Sequence, residues 1–195
     1  MKRPIFLILS ILLITASSVK AQRYDYFDHV TSKDGLSSNT IYSTMQDRAG
    51  FMWIGTRDGL IRYDGNNFIN IRELTEGEGL DGNISVTCED SMGRIWFSST
   101  SGVNIYDPST GSLEQLGQIG GMSCHSIRSD SKGRVWLITN EIIRIDAGTM
   151  EMQSYQIEGA WPSAITIDSF GTLWAAMNNG SLYTYDARTD GFEHR

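Results

Sequence analysis

The stretch DRAGFMWIGTRDGLIRYD (Asp47 to Asp64) occurs three more times along the chain, with changes. The other copies read DSMGRIWFSSTSGVNIYD (Asp90 to Asp107), DSKGRVWLITNEIIRID (Asp130 to Asp146) and DSFGTLWAAMNNGSLYTYD (Asp168 to Asp186). Successive tryptophans of the copies are 43, 40 and 38 residues apart. A period of about 40 residues with a Trp, a Gly turn and a closing Asp is typical of stacked β units, most often the blades of a β-propeller.

Residues that recur at the same place in every copy are more often structural than catalytic. The repeated Trp is predicted to pack between neighbouring blades, because a large aromatic ring buries about 150–250 Å². The Asp that opens each copy is predicted to accept backbone N–H bonds in its turn, as in an Asx-turn. The predicted structural positions are Asp47, Gly50, Trp53, Asp64, Asp90, Gly93, Trp96, Asp107, Asp130, Gly133, Trp136, Asp146, Asp168, Gly171, Trp174 and Asp186.

Each copy has the pattern of four short strands separated by Gly, Asp and Asn turns. In the first copy the strands are predicted at residues 39–46, 51–56, 60–63 and 68–72. The predicted fold is therefore all-β, a β-propeller with about four four-stranded antiparallel blades. The predicted blades span residues 39–73, 82–116, 122–155 and 162–195.

The first 21 residues have the features of a secretory signal peptide. Lys2 and Arg3 give a positive start, residues 5–16 are apolar, and Val19-Lys20-Ala21 is a small-x-small cleavage site. The apolar run is shorter than the roughly 20 residues that span a bilayer. We predict cleavage after Ala21 and export of the mature chain, with an uncleaved anchor as the alternative.

The segment before the first copy resembles the end of the fourth. Tyr26-Phe27-Asp28-His29 echoes Gly191-Phe192-Glu193-His194, so residues 24–30 are predicted to be an outer strand that completes a ring. Residues 192–195 already supply an outer strand for the fourth blade, which favours an open arc over a closed ring of four blades. An open arc exposes an apolar blade face at each end, and the isolated chain is therefore expected to be poorly soluble or oligomeric.

The charge of the chain bears on whether it binds nucleic acid, and the positions of its cysteines bear on whether they form a disulfide. The net charge is −7 and no Lys/Arg cluster occurs, which argues against nucleic acid binding by this segment. An exported chain can form disulfides, but Cys88 and Cys124 are offset by four strand residues in the repeat, roughly 13 Å. A disulfide tolerates only about 4.4–6.8 Å between Cα atoms. Two free thiols are predicted unless the blade register shifts.

The stretch GLSSNTIYSTMQDRAGFMWIGTRDGLIRYDG (Gly35 to Gly65) resembles the two-component regulator propeller repeat. The likeness is carried by the opening GLSSN at residues 35–39, by Trp53-Ile54-Gly55-Thr56 and by residues 59–65. The later copies lose the Gly-Thr pair after the Trp but keep the spacing. In that family the repeat builds the periplasmic sensor of hybrid two-component systems in Bacteroides-like bacteria.

The resemblance implies a longer parent protein, with two propellers of about seven blades each, a β-sandwich, a membrane helix, a histidine kinase, a receiver and a DNA-binding domain. Members typically sense breakdown products of complex glycans. The resemblance thus implies an incomplete part of a seven-bladed ring that faces the periplasm, takes an oligosaccharide ligand and needs no cofactor. After signal cleavage the segment would touch the membrane only through the downstream helix of a homodimeric parent anchored in the inner membrane.

Catalytic and metal chemistry have little support in the sequence. His29, His125 and His194 have no zinc-site spacing, and nucleophile-elbow, P-loop and Cys-x-x-Cys motifs are missing. No catalytic or metal-binding residue is therefore predicted. A secreted propeller enzyme, such as a polysaccharide lyase or glycosidase, and a non-catalytic protein-interaction propeller are the alternatives.

Binding residues are expected in the loops on one face of the propeller, because loops on a rigid scaffold usually carry function. Trp161, in the Gly-containing linker Glu158-Gly159-Ala160-Trp161, is not part of the repeat and would stack on a sugar ring if exposed. The alternative is that Trp161 covers the edge of the core. The candidate ligand-binding residues are Arg57, Asp58, Asn140, Trp161, Asn178 and Asn179.

Overall fold

The computed structural model describes residues 28–75, 82–119 and 124–195, which form four antiparallel sheets of four strands each. The all-β propeller architecture predicted from the repeat is confirmed. The predicted signal peptide, residues 1–21, and residues 24–27 of the predicted outer strand lie outside the described residues. Residues 28–30 are described and lie in no strand.

The strands of each sheet follow one another in the chain. The first sheet contains β1 (Ile41–Gln46), β2 (Met52–Thr56), β3 (Gly59–Tyr63) and β4 (Phe68–Asn70), and the second contains β5 (Val86–Glu89), β6 (Ile95–Ser99), β7 (Gly102–Asp107) and β8 (Ser112–Gln115). The third contains β9 (Ser126–Ser129), β10 (Arg134–Ile138), β11 (Ile142–Asp146) and β12 (Met152–Tyr155). The fourth contains β13 (Pro162–Ile167), β14 (Leu173–Met177), β15 (Leu182–Asp186) and β16 (Gly191–His194).

The four sheets form an open arc around their first strands. These inner strands touch one another in order, β1 against β5, β5 against β9 and β9 against β13. Within the described residues the arc does not close into a ring of four, which agrees with the role predicted for the last residues. Residues 191–194 pair with β15 as the outer strand of the fourth sheet, and Tyr185 lies opposite Phe192.

The alternating strand directions give the arc two faces. The hairpins between the second and third strands and the linkers between sheets lie on what we call the upper face. The turns between the first and second strands and between the third and fourth strands lie on the opposite, lower face. The Asp-x-x-Gly turns of the repeat belong to the lower face.

Each of the first three repeated tryptophans is fully buried by the sheet that follows it. Trp53 packs with Ile84 and Ile95, and its ring centroid lies 5.8 Å from that of Tyr106 in the second sheet. Trp96 packs in the same way against the third sheet. Trp136 contacts the fourth sheet, with its ring centroid 4.7 Å from that of Tyr185. Trp174 is only half-buried.

The Asp that opens each repeat holds the repeated Trp from the lower face. One carboxylate oxygen accepts the backbone N–H four residues later, and the other accepts the indole N–H six residues later. The indole bond of Trp174 holds the pKa of Asp168 below its usual value. Burial opposes this at Asp130, but the bonds from Trp136 and Arg134 lower its pKa overall. The indole bonds are Trp53 to Asp47 at 2.7 Å, Trp96 to Asp90 at 2.8 Å, Trp136 to Asp130 at 2.9 Å and Trp174 to Asp168 at 2.9 Å.

Gly55 allows the linker into the second sheet to cross the first sheet at close range. A Cβ atom at Gly55 would lie 2.6 Å from the carbonyl oxygen of Ile84, and the N–H of Ile84 donates to the carbonyl of Thr56 at 2.9 Å. Ile84 is fully buried. Gly55 is therefore required where this linker passes, and the loss of the Gly-Thr pair in the later repeats leaves their hairpins intact.

The outer strand of the first sheet is shorter than predicted. It ends at Asn70, and Ile71–Leu74 form a short helix, α1, where the sequence suggested strand through residue 72. The side-chain oxygen of Asn70 accepts the N–H of Arg72 at 3.1 Å and caps the helix. We attribute this helical turn to Ile71, which is fully buried and packs in one cluster with Trp53.

The two cysteines are free thiols in the same hydrophobic cluster. Cys124 is buried and Cys88 is half-buried. Burial raises the pKa of both thiols to about 11. A thiol with so high a pKa is a poor nucleophile near neutral pH.

Candidate ligand-binding cleft

A cleft of about 780 Å³ opens between the third and fourth sheets on the upper face. Its lining comes from the β10–β11 hairpin, the end of β12, the linker into β13 and the end of β14. Ile142 and Met177 are buried and form its base, and Tyr155 and Pro162 add further apolar surface. A concave site with an apolar base and a few polar groups is typical of small-molecule binding sites.

Trp161 presents its ring to this cleft. Trp161 is 64% exposed, unlike the four repeated tryptophans. Its N–H has no hydrogen-bond partner within residues 28–75, 82–119 and 124–195, whereas each repeated indole donates to an Asp. The alternative that Trp161 covers the core edge does not fit a ring so exposed.

The backbone of Trp161 is nevertheless held in place. Its N–H donates to the side-chain oxygen of Asn178 at 2.9 Å, and its carbonyl accepts the N–H of Asn178 at 2.9 Å. The preceding residues form a tight turn in which the N–H of Ala160 donates to Ile157, with Gly159 at φ +75. Gly adopts this left-handed conformation without strain. The ring is thus displayed from a fixed backbone.

Four polar side chains line the cleft together with Trp161: Asn140, Glu141, Gln156 and Glu158. The carboxylate of Glu141 accepts the Gln156 side-chain N–H at 3.2 Å. The backbone of Glu141 is fixed by the hairpin, since its carbonyl accepts the N–H of Thr139 at 3.0 Å. Two carboxylates, two amides and an exposed aromatic face offer both hydrogen bonds and a stacking platform to a ligand with an apolar face and several hydroxyls.

The predicted binding residues are distributed unevenly. Asn140 and Trp161 line the cleft, and Asn178 lies behind Trp161 as its backbone partner. The side-chain oxygen of Asn179 accepts the N–H of Ser181 at 3.0 Å and so stabilises its own turn. Arg57 and Asp58 lie in the β2–β3 hairpin of the first sheet and do not line this cleft.

Sequence reasoning missed Glu141, Gln156 and Glu158. Glu158 lies in the same linker as Trp161, and Glu141 directly follows Asn140. Both could therefore have been predicted as sequence neighbours of candidate residues. Gln156 had no such signal, because its role depends on the contact with Glu141 across 15 residues.

Below the cleft, a polar cluster ties the third sheet to the fourth. The carboxylate of Asp190 accepts bonds from the hydroxyls of Tyr155 at 2.7 Å and Tyr185 at 2.6 Å and also pairs with Arg144. The bonds from Tyr185 and Tyr155, with that from Arg144, lower the pKa of Asp190 to about 2. Burial and the bond to Asp190 raise the pKa of Tyr155. Because Tyr155 also lines the cleft, this cluster fixes one of its walls.

The described part of the chain contains no group of three or more His, Cys, Asp or Glu residues placed to hold a metal ion. Nor does any helix within the described ranges have the length and apolar character to cross a membrane.

Comparisons with known proteins agree with the resemblance drawn from residues 35–65. The family model described as two component regulator propeller matches residues 35–58. The Histidine kinase P4 of Formosa agariphila is 44% identical over 54 residues, which are 27% of this chain and 4% of that protein. The resemblance to the two-component regulator propeller family is confirmed.

Solved structures share the fold. The extracellular domain of a hybrid two-component system from B. thetaiotaomicron superposes with a TM-score of 0.70 at 18% identity, covering 88% of this chain and 23% of that one. Virginiamycin B lyase from Staphylococcus aureus, in a crystal with quinupristin, has a TM-score of 0.64 at 16% identity, covering 82% of this chain and 56% of that one. At these identities the likeness establishes the propeller architecture, and the chain spans only part of each protein.

Proposed function

We propose, on the premise that residues 35–58 are a two-component regulator propeller repeat, that this chain is the ligand-input part of an exported sensor. The signal-peptide pattern of the first 21 residues supports export to the periplasm. In this proposal the propeller binds an oligosaccharide and signals to a downstream histidine kinase in a homodimeric parent anchored in the inner membrane. The propeller segment itself has no catalytic role.

The observation that carries the ligand proposal is the exposed indole of Trp161 beside Asn140, Glu141 and Gln156. Sugar rings present an apolar face of C–H groups and a rim of hydroxyls. An aromatic ring receives the apolar face, and carboxylate and amide groups hydrogen-bond the rim. The cleft has the size and the mixture of groups for one or two sugar rings.

The residues that line the cleft are held in position before a ligand binds. The backbone of Trp161 is fixed by Asn178, and Glu141 is held by Gln156. A preorganised site loses less conformational entropy on binding than a mobile loop does. The polar cluster around Asp190 connects the cleft wall to both adjacent sheets. A ligand that displaces Tyr155 would therefore also alter the hydrogen bonds between the third and fourth sheets.

Tryptophan fluorescence and calorimetry of the purified chain with a panel of oligosaccharides test this proposal. Because three repeated tryptophans are fully buried and Trp161 is exposed, a sugar that stacks on Trp161 is expected to shift the emission to shorter wavelength. Trp161→Ala is expected to abolish the shift and weaken binding at least tenfold. Phe170→Ala is the matched control, since Phe170 is 93% exposed on the lower face.

Two results would count against the proposal. Binding that survives Trp161→Ala unchanged would move the ligand site elsewhere on the propeller. Turnover of any polysaccharide by the purified chain would replace the sensor function with that of a propeller enzyme.

A further inference from the structure

The cleft is acidic. Glu141 and Glu158 both line it, and no Lys, Arg or His is among its described lining residues. The chain as a whole carries a net charge of −7, so its overall charge does not offset these two carboxylates. A ligand that enters between the third and fourth sheets therefore meets negative potential.

Glu141 is the carboxylate with the more fixed position. Its side chain is held by Gln156, and both its backbone N–H and its carbonyl are hydrogen-bonded to Thr139 across the hairpin. A carboxylate held in this way swings away from an incoming negative charge less readily than an unbonded one. Glu158 is exposed in the linker and has more freedom to do so.

Like charges at close range repel strongly at a partly desolvated site, because the local dielectric constant is lower than that of water. A sugar carboxylate or sulfate bound in the cleft with Trp161 would share it with Glu141, and no cation from the lining would neutralise it. Uncharged hydroxyls, in contrast, donate hydrogen bonds to carboxylates. The same two glutamates thus attract a neutral sugar and reject an acidic one.

We propose that the cleft selects uncharged oligosaccharides over those that carry uronate or sulfate groups, and that Glu141 is the main specificity-determining residue. This inference rests on the proposed oligosaccharide-binding function. It narrows the ligand to the neutral class of glycan fragments.

Calorimetry with matched neutral and acidic tetraoses tests the inference. The probes are β-1,4-linked tetraoses of glucose and mannose and the corresponding tetraoses of glucuronate and mannuronate. We expect at least one neutral probe to bind at least ten times more tightly than its acidic counterpart at low salt. The preference should shrink as salt rises, because exposed charges are screened.

Variants identify the source of the preference. Glu141→Gln is expected to improve binding of the acidic probe at least threefold while the neutral probe changes less, and Glu158→Gln should act in the same direction more weakly. Glu114→Gln is the control, because it removes one negative charge from an exposed position on β8, outside the cleft. It should leave the preference unchanged.

The outcomes separate the inference from the function on which it rests. Equal or tighter binding of the acidic probes, or no effect of Glu141→Gln on them, would overturn the selectivity and leave oligosaccharide binding intact. If none of the four probes binds in a Trp161-dependent manner, the neutral specificity of this cleft is wrong, and the oligosaccharide panel decides separately whether the propeller binds a sugar at all.

Discussion

Asp190 of the fourth sheet accepts a hydrogen bond from the hydroxyl of Tyr155 of the third sheet at 2.7 Å. It does so from a left-handed backbone conformation, φ 49, that residues other than Gly seldom adopt. Asn and Asp tolerate this conformation better than most residues. The turn therefore places the carboxylate where it meets Tyr155, Tyr185 and Arg144 together.

Asp190→Asn should destabilise the chain near neutral pH and have little effect in strong acid. The folded-state pKa of about 2 lies below the ordinary 3.8, so the contribution of the ionised group is complete above about pH 4. It is lost as the pH falls from about 4 to about 2. Urea unfolding of wild type and variant across this range measures the difference. A stability gap that does not shrink between pH 5 and about pH 2 would contradict the role of the ionised carboxylate.

Trp96→Ala should cost about 3–5 kcal/mol, since Trp96 is fully buried between two sheets. Trp174→Ala, at the same repeat position, should cost only about 1–2 kcal/mol because Trp174 is half-buried. Both values are read from denaturant midpoints at constant slope. Equal losses would show that the following sheet contributes nothing to the burial of Trp96.

Gly55→Ala should destabilise the first two sheets by about 1–3 kcal/mol. The new Cβ would lie 2.3 Å from the Ser43 hydroxyl oxygen and 2.6 Å from the carbonyl oxygen of Ile84, and the latter belongs to backbone that cannot move aside alone. Gly117→Ala is the control, with no atom within 4 Å of the new Cβ. Thermal melts of the two variants give the comparison, and identical melting temperatures would refute the close crossing of the linker.

Cys88 and Cys124 should resist a thiol reagent in the folded chain at pH 8. With a pKa of about 11, about one thiol in a thousand is ionised at pH 8. Both should react fully after unfolding in guanidinium chloride, and counting reacted thiols by mass spectrometry checks this. Rapid labelling of either residue in the native chain would indicate an exposed thiol.

The repeat predicted the parts of this structure that depend on residues close in sequence. The spacing of Trp53, Trp96, Trp136 and Trp174 placed the four sheets, because each Trp and its Asp lie six residues apart in one hairpin. The helix at Ile71–Leu74 was missed because its cause is the packing of Ile71 under Trp53, a tertiary contact. The local sequence pattern does not predict such contacts, and they can override the local preference for a strand.

The candidate cleft was predicted only in part for the same reason. Trp161 and Asn140 stood out as unrepeated or loop residues, and the structure brings both to one cleft. Arg57 and Asp58 occupy the same hairpin position in the first sheet, and the sequence alone does not indicate which of the four hairpins borders a cleft. The pairing of Glu141 with Gln156 depends on the register of β11 and β12, where Ile142 lies opposite Tyr155.

Because each of the first three repeated tryptophans is covered by the sheet that comes later in the chain, these repeats cannot complete their own hydrophobic cores. Each of these indoles stays partly in contact with water until about 40 more residues have been added and folded, as the Trp spacing shows. If the chain folds from the amino-terminal end, each sheet would complete its core only when the next sheet has folded. The face of the last folded sheet would then be the one apolar surface left uncovered at that growing end. At every stage the most aggregation-prone surface would be the newest one.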